Sequence, residues 1–245
     1  MKYLISIMYD GSKFHGFQRL NEEPSVQAKL EEALTIINKK PVTIKGAGRT
    51  DKGVHALDQK ASFALDITIE PLNLKRALNS LVSPYIYITD VQVVDENFHA
   101  RFNVIKKEYV YKINLGEYNP LLANYTYQPP TKLNLTSMKK CAKLFLGIHN
   151  FHNFVSGERE NYDCIIYNIG FKKHKNILEI KFTGQSFYRY MVRNLVGAML
   201  DVSSKKATIT EIQEALEHPD VKKQFSTAMP EGLYLNKIYY KEEEI

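Results

Sequence analysis

Apolar and polar positions along the chain switch between two periods. Tyr3, Ile5, Ile7 and Tyr9 alternate with Leu4, Ser6 and Met8, the two-residue period of a strand in a buried sheet. Asp10-Gly11-Ser12 then turns the chain. Over 25–38 the period lengthens: Val26, Leu30, Ala33, Leu34 and Ile37 share one helical face behind Ser25 as N-cap, and Pro41 stops the helix. A short strand at 42–46 leads into GAGRTDKGVHA (46–56), followed by a strand at 59–66, a helix near 73–81 and a strand near 85–94. The stretch 98–115 reads as a connecting strand, with Tyr109, Tyr111 and Ile113 in alternation, and Pro120, Pro129 and Pro130 punctuate a looser stretch after it. Met138, Cys141, Ala142 and Phe145 place a helix at about 136–147. Strands at 164–171 and 176–183 and helices at 187–200 and 210–217 come next, the last opening with Thr210 and Gln213 in capping-box spacing. LYLNKIYY (233–240) closes the pattern as a strand.

Strand, helix and further strands thus recur in similar order in both halves, which predicts an α+β protein of two similar lobes joined near residues 100–110. The expected division is 1–105, carrying the segment 46–56, and 106–245, carrying the helix at 187–200. A length of 245 residues fits one large domain or two small ones, and 44% hydrophobic with 24% charged residues excludes general disorder. The longest uninterrupted apolar run, Leu195 to Leu200, falls far short of the roughly 20 residues of a membrane span. Asp10 interrupts the N-terminal apolar stretch before it could serve as a signal peptide. Cys141 and Cys164 lie in apolar surroundings without CxxC or histidine spacing, so free thiols in a reducing, cytoplasmic compartment are expected. The net charge of +6 permits a polyanionic partner without demanding one. The positive charge is dispersed and the closing KEEEI is acidic, so a nucleic acid would have to be met by a folded surface.

Gly46-Ala47-Gly48-Arg49-Thr50-Asp51-Lys52-Gly53 stands out, because three glycines within eight residues require a tight backbone path. Asp51 sits between Arg49 and Lys52, which favours its ionised form. No GK[ST] follows, and the helix and third glycine of a dinucleotide fingerprint are missing. By spacing alone a solvated turn is the commoner meaning of such a segment. His149 and His152 form an HxxH and Asp51 and His55 a DxxxH, but neither has the further ligands zinc needs, so no metal site is expected. Arg189 and Arg193 stand four apart on an otherwise apolar helix and repel each other unless an anion lies opposite.

GAGRTDKGVHA closely resembles the catalytic loop of the tRNA pseudouridine synthases of the A type. YDGSKFHGFQRLNEEPSVQAKLEEAL (9–34), FHARFNVIKKEYVYKI (98–113), FTGQSFYRYMVRNLVGAML (182–200) and EGLYLNKIYY (231–240) resemble further segments of that family, in the same order over nearly the whole chain. The resemblance implies two similar lobes, each a mostly antiparallel sheet with helices packed on one face, and an active-site cleft between them. It implies an isomerase converting uridines at tRNA positions 38, 39 and 40 of the anticodon stem-loop to pseudouridine. The enzyme would be a homodimer with tRNA as its partner, and without a small-molecule cofactor.

On the motif positions, the resemblance implies Asp51 as the catalytic carboxylate and Arg49 as a residue that helps hold open the RNA stack where the target base leaves. It likewise implies that Tyr109 stacks on the flipped base and that Arg193 pairs with the carboxylate. Flipping itself is a physical requirement, since ribose C1′ cannot be reached inside a stacked helix. His55 and His99 are motif positions expected to support loops, and Asp10 is expected to shape its Asp-Gly turn. The chain departs from the pattern at Asn150 in GIHNF, usually Asp, at Lys52, often alanine, and around Leu81–Ile86, where an LPxDI-like segment is usual. Two other readings share these residues: an RNA chaperone without turnover, and a glycosidase that releases free uracil.

Overall fold

The computed structural model describes residues 1–20 and 22–241; Asn21 and residues 242–245 lie outside the described residues. Two compact units are present, one comprising Met1–Lys106 with the closing strand from Tyr234, the other Lys107–Leu233. The closing strand, expected with the second lobe, therefore clusters with the first.

In the first unit, strand β1 (Lys2–Tyr9) leads through a 3-10 turn at Gly11–Lys13 to helix α1 (Val26–Asn38). Ser25 caps α1 by accepting the Ala28 N–H, and Lys39 ends it in the left-handed region before Pro41 is reached. Strand β2 (Lys45–Gly46), strand β3 (His55–Ala64), helix α2 (Pro71–Val82) and strand β4 (Ile86–Val93) follow. Antiparallel pairing puts β1 between β4 and β3, with β2 on β3. Tyr3, Ile5 and Ile7 from β1, with Leu30, Leu34, Leu74 and Leu78 from the helices, are fully buried and supply the core.

The second unit runs from strand β5 (Lys106–Asn114) through helix α3 (Leu135–Leu144), strands β6 (Gly147–Asn150), β7 (Asp163–His174) and β8 (Ile177–Gly184), to helices α4 (Met191–Ser203) and α5 (Ile209–Glu217). Its sheet is antiparallel throughout, in the order β5-β8-β7-β6. Helix α3 packs on α4, α5 and β7, burying Met138, Cys141 and Ala142. Strand β9 (Leu233–Tyr239) then pairs parallel to the start of β3, His55 opposite Tyr234 and Ala56 opposite Leu235. The α+β class is as expected. No helix among the described residues is long and apolar enough to cross a membrane.

Several boundaries differ from the expected ones. Only Lys45–Gly46 of the 42–46 stretch pairs as strand. β3 begins four residues early because His55 and Ala56 already have partners in Tyr9 and β9. Residues 98–105 form turns, not strand: His99 O accepts the N–H groups of Phe102 and Asn103, and Asn103 Oδ1 accepts that of His99. α4 starts at Met191, since Tyr190 is in the left-handed region at φ 62°. The capping box of α5 is Thr208 with Glu211, a charged acceptor, instead of Thr210 with Gln213.

Candidate active site

From Ala47 to Val54 the first unit has no regular secondary structure, yet almost every step of the backbone is tied. The Ala47 N–H donates to Lys60 O at 2.8 Å, Gln59 Nε2 to Gly48 O at 3.0 Å, and the Phe17 N–H to Thr50 O at 3.2 Å. Thr50 Oγ1 and the Tyr9 hydroxyl share a buried hydrogen bond of 2.7 Å. Burial pushes the Tyr9 phenol well above the usual tyrosine range, so it remains a neutral anchor at any physiological pH. A single turn, Val54 N–H to Asp51 O at 3.1 Å with Gly53 at φ 79°, then redirects the chain into β3.

The 10–17 segment braces this loop from outside. Gly11 approaches so closely that a Cβ there would lie 2.0 Å from Val54 O, and Gly16, at φ 110°, would put one 2.7 Å from Thr50 O. The Gly11 N–H donates to His55 Nδ1 at 3.1 Å, and the His55 ring stacks on Tyr234 with centroids 4.6 Å apart. The same Nδ1 lies 3.4 Å from Asp10 Oδ1, so His55 ties the Asp10-Gly11 turn to the start of β3, a loop support. Asp10 accepts both the N–H and the hydroxyl of Ser12, the expected Asp-Gly turn. At the apex of this scaffold Asp51 is partly exposed, with Arg49 and Lys52 exposed on the same loop.

In the second unit Tyr109 stands on β5 opposite Phe182 of β8 and is 8% exposed, its ring edge-on to Phe187 at 5.2 Å. Tyr111 follows two residues on, its hydroxyl donating to Met229 O at 2.8 Å; burial, then nearby Glu231, raises its pKa. Arg193 lies in the first turn of α4. Its Nε donates to Ala228 O at 2.8 Å, and the Ala228 N–H returns a bond to Arg193 O at 3.0 Å. Asp201 holds Ser226 by two 2.7 Å bonds, and Gly197 lets this strap lie directly on the helix. Burial raises the pKa of the Glu231 carboxyl, and the charge of Arg193 opposes that rise.

Arg189 precedes α4, so the expected four-residue helical pairing with Arg193 does not exist. The two arginines instead flank the Tyr190 ring, at 5.1 and 4.8 Å from its centroid. His149 and His152 each bond a backbone carbonyl, of Leu146 and Pro219, and no group of three or more His, Cys, Asp or Glu among the described residues could hold a metal ion. Asn150 accepts the His152 N–H in a tight turn. Both cysteines are buried and free, and burial pushes the Cys141 thiol up to about 12. Pattern reasoning passes over Tyr9 and Thr50, which anchor the loop, and Phe187 and Glu231, which border Tyr109 and Arg193. Only the Thr inside GRTD hints at the first pair.

A half-exposed carboxylate on a rigid, glycine-shaped loop, beside an exposed arginine, suits covalent or proton-transfer work on a large anionic substrate. The sequence profile of the family described as tRNA pseudouridine synthase matches residues 5–103 and 141–241. The tRNA pseudouridine synthase A of Borreliella afzelii (strain PKo) is 37% identical over 243 residues, covering 98% of this chain and 99% of that one. That of Geobacillus sp. (strain WCH70) is 38% identical over 239 residues, covering 96% of each. Among solved structures, the crystal structure of a Cbf5-Nop10-Gar1 complex is similar at 11% identity with a TM-score of 0.36, over 97% of this chain and 59% of that one. With Asp51 and its loop inside the matched segments and relatives aligned from end to end, this chain belongs to the tRNA pseudouridine synthase family.

Proposed function

We propose that this protein isomerises uridines at positions 38, 39 and 40 of the tRNA anticodon stem-loop to pseudouridine, with Asp51 as the catalytic carboxylate acting on a flipped-out base. The observation that carries the reading is Asp51 itself, partly exposed on a loop whose backbone is hydrogen-bonded on both sides of it. Such a carboxylate is held in place before the substrate arrives, which is what orientation-dependent catalysis requires.

The reaction balances without a redox partner or group donor. The bond from ribose C1′ to N1 breaks, a bond from C1′ to C5 forms, the C5 proton leaves to solvent, and N1 gains a proton. Asp51 attacks the sugar or base covalently, or takes the ribose C2′ proton to form a glycal-like intermediate and returns it as the C1′–C5 bond forms. Arg49 enters the gap left in the RNA stack, Tyr109 stacks on the flipped uracil, and the family likeness supports Arg193 as the partner of the catalytic carboxylate. The family likeness supports a cytoplasmic homodimer that recognises the shape and phosphate path of tRNA.

The test is product analysis on an unmodified tRNA transcript, with pseudouridine mapped by carbodiimide-dependent reverse-transcription stops. Stops at 38, 39 and 40 are expected. Free uracil would mark a glycosidase, and unchanged RNA bound tightly would mark a chaperone.

A further inference from the structure

The crossing segment between β4 and β5 carries a feature that the isomerisation itself does not use. Residues 99–103 form a turn closed on itself. The N–H groups of Phe102 and Asn103 both donate to His99 O at 3.1 Å, that of Arg101 donates to His99 Nδ1 at 3.1 Å, and that of His99 to Asn103 Oδ1 at 2.8 Å. The turn is also anchored from beneath. Ala100 is fully buried, its N–H donating to Ser62 Oγ and its carbonyl accepting the Tyr240 hydroxyl at 2.7 Å, while Phe98 packs edge-on to the Tyr240 ring. Phe102 projects from this fixed base with 77% of its surface exposed.

A single exposed apolar side chain is ordinary. What sets Phe102 apart is its company and its rigidity. The His99 ring lies 4.3 Å from the Phe102 ring centroid to centroid, and the Arg101 guanidinium 6.0 Å from it. Burial, and after it the charges of Lys2 and Lys45, lowers the His99 pKa, and the Lys2 ammonium is held at Glu96 O at 2.7 Å, at the start of the same segment. A stacked imidazole and an exposed phenyl face on a preorganised turn, with the Arg101 cation on that turn and Lys2 and Lys45 on the neighbouring strands, form the combination of stacking surface and positive charge that takes up single-stranded nucleic acid.

We propose that the His99–Asn103 turn is a second RNA-contact element, in which the Phe102 ring stacks on an unpaired base of the substrate RNA while Arg101, Lys2 and Lys45 receive its flanking phosphates. The inference rests on the reading that the substrate is RNA and adds an element separate from the Asp51 loop. Because the turn is ordered before binding, stacking on it costs little additional conformational entropy.

The chain contains no tryptophan, so Phe102→Trp places its one tryptophan, selectively excitable over the tyrosines, on the turn. Titration of this variant with an unmodified tRNA transcript should quench its emission while preserving wild-type affinity. Phe102→Ala and Phe102→Leu should each bind the transcript roughly ten- to a hundredfold more weakly, raising KM with kcat nearly kept. Leucine keeps the apolar bulk without the ring, so its failure to rescue separates stacking from mere packing. Arg101→Ala should lower the salt dependence of binding by about one phosphate contact. If the wild type makes pseudouridine while emission stays unquenched and both Phe102 variants bind normally, this inference is overturned and the functional reading stands. If the wild type leaves RNA unchanged but the tryptophan is quenched and the variants bind weakly, the contact element stands and the isomerase reading falls.

Discussion

Asp51 and Arg193 are held by different kinds of structure, one by a loop's backbone and the other by a helix and its strap. The Asp51 loop has no regular secondary structure and relies on backbone groups reaching outward: to β3, to Phe17, and through Thr50 to the Tyr9 hydroxyl. Arg193 sits in the first turn of α4, where its carbonyl takes the Ala228 N–H and its side chain is oriented by Ala228 O and the Tyr190 face. The first arrangement is vulnerable to any added atom at a close backbone approach. The second is vulnerable to loss of side-chain atoms.

The sharpest way to break the loop is Gly11→Ala, whose Cβ would meet Val54 O at 2.0 Å. Displacement of the loop by even about 1 Å should lower kcat roughly 100-fold, with the α-helical circular dichroism unchanged. Arg193→Ala removes a charge-assisted hydrogen bond and should cut kcat roughly ten- to a hundredfold. Its effect on tRNA affinity should be smaller; a loss confined to affinity would make Arg193 a phosphate contact. Tyr9→Phe leaves Thr50 Oγ1 without its buried partner and should cost about 1–3 kcal/mol in urea denaturation.

The smallest effect concerns pH. Glu231 holds its proton more tightly in the folded protein than its ordinary value of 4.5 allows in the unfolded chain. Its favourable contribution is therefore complete below pH 4.5 and is lost as pH rises through the folded pKa. Glu231→Gln should flatten the fall in stability over that window, measured as denaturation midpoint against pH.

Much of the fold and part of the site are legible in the sequence. The strand at 3–9 and the helix at 25–38 form nearly as the pattern predicts, although β1 is covered on both faces, burying Leu4 and Ser6 as well as Tyr3, Ile5 and Ile7, and α1 buries Glu31 and Asn38 beside Val26, Leu30, Ala33 and Leu34. Mismatches arise where an apolar residue serves a different neighbour. Phe187 extends the pattern of α4 backwards, but its ring packs on Tyr109, and Tyr190 breaks the helix. Phe98 to Ile105 alternates like a strand, yet the Asn103 side chain competes for backbone bonds and makes turns. Asp51 and Arg49 are visible as a motif within one loop. The anchors Tyr9 with Thr50 and Gly11 with His55 are not, since they join residues 41 and 44 apart in sequence.

The most direct test of Asp51 as the catalytic carboxylate uses a tRNA transcript tritiated at uridine C5, incubated with wild-type protein and with Asp51→Asn, which differ by one oxygen-to-nitrogen exchange. The expected result is tritium release to water by the wild type, none above background by Asp51→Asn, and nearly equal tRNA affinity for the two. Full release by Asp51→Asn would contradict the assignment of Asp51 as the catalytic carboxylate.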